Sequence, residues 1–124
     1  ANTLRALFVA GSQHVGDNID NITVSPRGGI LLCEDGDPVT DSYGPGTRII
    51  GITADGDSFP FAKNNIDLEL EDIVAAGKQI FPNDYRAQEW AGACFDANGD
   101  VLFANSQIPG ITFAIWGPWE RGNL

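Results

Sequence analysis

The chain has 124 residues, 43% of them hydrophobic, which suits one domain of ordinary size and is too apolar for a disordered segment. Seven Lys and Arg stand against seventeen Asp and Glu, for a formal charge of −10 with no basic stripe. That balance excludes nucleic acid and an anionic membrane as partners and makes cations the natural guests.

The longest apolar run falls far short of the roughly 20 residues that a membrane-spanning helix needs. The N-terminal stretch ANTLRALFVAG lacks the basic, apolar and small-residue order of a signal peptide, so any such signal would lie outside this chain. Cys33 and Cys94 permit one disulfide at most, and each sits in an apolar run that favours a free buried thiol.

Taken in chain order, short runs rich in β-branched and aromatic residues predict strands at Leu4–Ala10, Ile22–Ser25, Ile30–Glu34, Thr47–Thr53, Phe59–Ala62, Ala93–Asp96, Val101–Asn105 and Thr112–Trp116. Pro26-Arg27-Gly28-Gly29 and Ala97-Asn98-Gly99-Asp100 supply the glycines that tight hairpins require. Asp55-Gly56-Asp57-Ser58 shares part of a calcium-loop pattern but lacks its remaining ligands, and reads as another hairpin turn. Between the strand groups, Asp67–Gly77 offers an N-cap, acids in the first turn and a terminal glycine, the pattern of a short helix. Strand through Leu70 followed by loop is the alternative.

The chain also repeats itself. Ser25–Glu34 aligns without a gap on Asp96–Asn105, and each copy continues into a Gly- and Pro-containing loop and another strand. The expected fold is therefore all-β: two antiparallel β-propeller blades, roughly residues 20–62 and 89–119, joined by a less regular segment 63–88, with Leu4–Ala10 ending a third. Propellers close with about four to eight blades, so two blades imply part of a larger structure. Trp90, Phe95, Phe103, Phe113, Trp116 and Trp119 would then face neighbouring blades. A self-contained β-sandwich with these aromatics as its core is the rival.

Several stretches together are similar to one family. Asp20-Asn21-Ile22-Thr23-Val24-Ser25-Pro26-Arg27-Gly28-Gly29, Leu32-Cys33-Glu34-Asp35-Gly36, Glu89–Phe95 and Gln107–Trp119 resemble the C-terminal portion of PhoX-type alkaline phosphatases, in the family's order. The resemblance runs from about Leu4 to Arg121 and is weakest between Lys63 and Asp84. It implies a long, secreted or periplasmic propeller enzyme that hydrolyses phosphate monoesters in a central channel with calcium and iron. An upstream iron-binding cysteine of the family has no counterpart here, so the chain would carry only part of the site.

Carboxylates are the ligand type that hard cations prefer. Glu34 and Asp35 end an apolar run. Neighbours on a strand point to opposite faces, so one reaches an ion while the other caps the turn. Glu34 resembles a family metal ligand, against the alternative of a solvated strand end. Asp20 is either a metal ligand or an Asx-turn cap, and Asn21 is a weaker carbonyl ligand or supporting partner. Glu89 is a third carboxylate candidate, costly to bury without a cation.

Among the arginines, whose planar fork suits phosphate, Arg86 is the expected contact; Arg27 reads as solvent-exposed, and Arg48 and Arg121 complete the set. His14 reads as a surface loop residue. With one histidine and no Gly-x-Ser-x-Gly elbow, a serine nucleophile has little support, which leaves metal-assisted hydrolysis. A calcium-stabilised binding module without activity and another propeller hydrolase, such as a lactonase, are the alternatives.

Overall fold

The structure, a computed structural model, describes residues 2–122 and 124. It is all-β with antiparallel sheets and almost no helix, and neither main sheet closes into a barrel. Strands β1 (Ile19–Val24), β2 (Ile30–Glu34), β3 (Arg48–Ile52) and β4 (Ser58–Lys63) form a four-stranded meander in that order. Gly28, in the β1–β2 turn, takes a φ of 95°, which a side chain would strain. Asp55-Gly56 closes the β3–β4 hairpin as the sequence suggests, through Thr53 N–H to Asp57 O at 2.9 Å.

A less regular segment follows, in which β5 (Asp67–Leu68) pairs with β6 (Asn83–Asp84) on either side of helix α1 (Leu70–Ala75). The helix is shorter than Asp67–Gly77 because the first two of those residues are taken into the β5–β6 pairing. Its N-cap is Glu69. Strands β7 (Trp90–Phe95), β8 (Val101–Ser106) and β9 (Ile111–Trp116) form a second, three-stranded meander, followed by a 3-10 turn at Trp119–Arg121.

One core joins the two meanders. Leu31, Cys33 and Ile49 of the first sheet meet Trp90, Leu102 and Ala104 of the second, with Trp119 and Leu124 closing the end. Each large apolar side chain buried in this way stabilises the fold by about 1.5–3 kcal/mol. Trp90 lies 5.5 Å from Phe113, and Trp119 packs edge-on to Phe95 and stacks on Phe61. Of the six aromatics expected to face neighbouring blades, Phe103 and Trp116 point outward, 37% and 69% exposed.

The opposite face of the first sheet, Leu32, Ile50 and Ile52, is covered by Leu7 and Phe8. Leu4–Ala10 thus forms no strand. Leu7 and Phe8 pack partly buried on a sheet face without a ladder of backbone bonds, while Leu4 and Val9 are exposed.

The two meanders repeat one plan with an offset of one residue. Ser25 N–H donates to Gly29 O at 2.8 Å, four residues on, whereas Asp96 N–H donates to Val101 O at 2.9 Å, five residues on. The second turn therefore holds one additional residue, and Ile30 corresponds to Leu102 rather than to Val101 as in the gapless alignment. With that shift, Leu31 corresponds to exposed Phe103, and Leu32 to buried Ala104. The face that the first sheet turns toward the second corresponds to the face that the second sheet turns outward.

Candidate metal site

β1 and β2 both lie against β7, and the acids gather at the ends of these strands. Asp20 occupies an irregularity of β1. Ile19 pairs with Glu34 and Asn21 with the preceding Cys33, so Asp20 has no partner across the ladder. A bulge of this kind re-aims a side chain. β7 has a matching irregularity between Ala91 and Cys94, where Gly92 adopts a φ of 58°. Asn21 spans the two strands: its Nδ2 donates to Asp20 Oδ1 at 2.7 Å, and its Oδ1 accepts from Gly92 N–H at 3.4 Å.

Asp20, Asp35 and Glu89 converge. One carboxylate oxygen from each lies within 4.8 Å of the others, with Asp20 and Asp35 exposed and Glu89 half-buried. Asp35 stands at the end of β2, where its N–H donates to Asn18 O at 3.2 Å. Glu89 immediately precedes β7. Desolvation, followed by the negative charges of Asp35 and Asp20, raises its carboxyl above the usual range. Three like charges this close repel one another, and a bound cation would relieve them.

Glu34, also expected as a ligand, lies outside this trio. Its side chain, on the opposite face from Asp35, is buried and ion-paired with Arg48 at 2.6 Å. Oε1 also accepts from Asp17 N–H at 3.0 Å, and Oε2 accepts from Arg48 N–H and Nε at 2.8 and 2.9 Å. Four donors thus occupy its two oxygens. The signal for this pairing is the β2–β3 register: Cys33 opposes Ile49, which sets Glu34 beside Arg48.

Arg86 closes its fork on Asp84, with Nε to Oδ1 at 2.9 Å and Nη2 to Oδ2 at 2.6 Å, and Asp67 lies 3.5 Å away. This pairing holds the Asp84 carboxyl down at about 2. Arg27 is solvent-exposed, as expected, and also links the two main hairpin turns through Gly99 O and an ion pair with Asp100 at 3.6 Å. His14 is an exposed loop residue, as expected.

The trio's all-oxygen donor set fits a hard divalent cation such as calcium. Iron also takes carboxylate oxygens, commonly beside histidine or thiolate ligands. Among the described residues, no histidine or thiolate joins the group. Burial pushes the nearby Cys33 thiol up to about 11, partly offset by a backbone hydrogen bond at Ala93, with Asp20 and Glu89 raising it further. Both cysteines are free, and Cys94 is exposed on the outer face of β7 instead of buried.

The family model for the alkaline phosphatase PhoX matches residues 4–110. The chain belongs to the PhoX alkaline phosphatase family. The match takes in both main sheets through β8, together with Asp20, Asn21, Glu34, Asp35, Arg86 and Glu89. PhoX membership carries a phosphatase-type function in general, and an acidic group able to hold a metal is present. No match emerged among curated proteins or among solved structures. No helix among the described residues is long and apolar enough to cross a membrane.

Proposed function

We propose that the chain forms two blade-like units, roughly residues 20–62 and 89–119, in the C-terminal part of a larger PhoX propeller, and supplies carboxylate ligands to a metal-dependent phosphate monoesterase site. The observation that carries this reading is the convergence of Asp20, Asp35 and Glu89 from both sheets of a PhoX-family chain. Rotation about a propeller axis turns the same face of each blade in the same sense, whereas a face-to-face sandwich sets equivalent faces against each other. The correspondence of Leu31 with outward-facing Phe103 supports rotation. By the same reading, the rest of the propeller covers Phe103 and Trp116, and the parent protein is secreted or periplasmic.

Asp20, Asp35 and Glu89 would hold calcium; a bound cation polarises the phosphoryl group and offsets the charge of the anionic ester. Asn21 orients Asp20 and is itself held by Gly92 N–H of β7, and the β1 bulge re-aims the Asp20 side chain. An iron, as the family resemblance implies, would take its remaining ligands from elsewhere in the parent. Phosphate would compete with Asp84 for Arg86, so the reading assigns substrate charge to the cations rather than to that fork.

Hydrolysis of p-nitrophenyl phosphate by the full-length protein tests this function. The expected result is turnover that is lost with chelator, restored by calcium together with iron, and reduced at least 100-fold in Asp35→Asn. Turnover indifferent to chelator and to Asp35→Asn would overturn the reading, and so would metal binding without any phosphatase activity in the full-length protein.

A further inference from the structure

The Glu34–Arg48 pair is the most deeply buried ionic element in the molecule among the described residues, with side chains 1% and 5% exposed. Its contacts extend well beyond the pair. Arg48 Nη1 donates to His14 O and Nη2 to Gln13 O, both at 2.8 Å, while Glu34 Oε1 accepts from Asp17 N–H. The pair therefore ties the loop 13–17 to the start of β3.

That loop is in turn joined to the residues after β2. Asp17 Oδ2 accepts from Asp37 N–H at 3.0 Å, and Asn18 O accepts from Asp35 N–H. Gly36 packs so closely here that a Cβ would lie 2.2 Å from Asp17 Oδ2. The loop leads directly into Asp20, and Glu34 directly precedes Asp35. One buried pair thus underlies both chain segments that deliver the first sheet's two acids.

Resting on the cation reading above, we infer that Glu34 and Arg48 are positioning residues, which fix the separation of Asp20 and Asp35 without touching the ion. An isolated buried ion pair gives little net stability, and apolar residues of similar volume often replace one at no loss. Fixing two ligand-bearing segments is a function that apolar replacements cannot perform, because they cannot bond Asp17 N–H or the carbonyls of Gln13 and His14.

The test is calorimetric calcium titration of the full-length protein, wild type against the double variant E34L/R48M, with thermal melts of both. The expected result is a melt within a few degrees of wild type and calcium affinity at least ten-fold weaker. If the double variant does not fold, R48K replaces it. R48K keeps the charge but offers three donors on one nitrogen in place of the four bonds that Arg48 makes from three, and a three- to ten-fold loss of affinity is expected. Wild-type affinity in a folded variant would overturn the positioning role while leaving the cation site intact. Absence of calcium binding by the wild type would overturn the cation reading, and the positioning role with it.

Discussion

Replacing Trp90 tests the architecture where core and site adjoin. Trp90 follows Glu89, is 4% exposed, packs on Phe113 and donates from Nε1 to Thr47 O at 3.2 Å, so it ties β7 to the first sheet. Truncating a buried Trp to Ala costs about 3–5 kcal/mol. For a domain of this size each kcal/mol lowers Tm by about 3–5 °C, so Trp90→Ala should melt about 10–20 °C lower. Trp90→Phe keeps most of the ring volume and loses one hydrogen bond, at about 1 kcal/mol. Thr47 O still accepts from Asn64 N–H at 2.8 Å, so no carbonyl is left unpartnered, and a drop of only about 3–8 °C is expected from the lost bond and some lost packing. Because the core is common to both sheets, wild type and variants should each melt in a single transition by circular dichroism and by tryptophan fluorescence. A Trp90→Ala shift below about 3 °C, or two separate transitions, would refute the common core.

The corrected repeat register predicts that Ala104→Glu unfolds the protein or lowers Tm by more than 10 °C, because it buries an unpaired charge between the sheets, whereas Phe103→Glu shifts Tm by a few degrees at most; melts of the two variants decide it. Iodoacetamide at pH 8 should label Cys94 alone in the native protein and both cysteines after denaturation, since burial keeps Cys33 protonated up to about 11; native labelling of Cys33, read by mass spectrometry, would contradict this. Calcium affinity should fall on acidification, beginning at a higher pH than an ordinary glutamate would give. Glu89 must lose its proton to bind, and its carboxyl is raised by desolvation and by Asp35 and Asp20; titrations at pH 5, 6 and 7.5 check this.

The fold was legible where the signal is local. Short runs rich in β-branched and aromatic residues and Gly-containing turns placed β2, β8, β9 and both main hairpins, because strand propensity and positive φ are properties of a few neighbouring residues. Leu4–Ala10 misled because apolar content does not specify a ladder: Leu7 and Phe8 pack partly buried on a sheet face, while Leu4 and Val9 are exposed. The additional residue in the Asp96–Val101 turn was hidden because both turns contain glycine and both following strands begin with apolar runs, so a one-residue slip leaves the resemblance intact. The opposite facing of Glu34 and Asp35 followed from strand alternation. Which of them turned inward depended on Arg48, fourteen residues away, and hence on sheet register. The convergence of Asp20 and Glu89 is a contact between sheets, which no local pattern encodes.

The most direct measurement is a crystal structure with calcium, the ion located by its anomalous scattering. The account predicts one ion bound by oxygens of Asp20, Asp35 and Glu89 at about 2.3–2.6 Å, with Glu34 still paired to Arg48. An ion bound through Glu34, or calcium absent from the trio at saturating concentration, would contradict it.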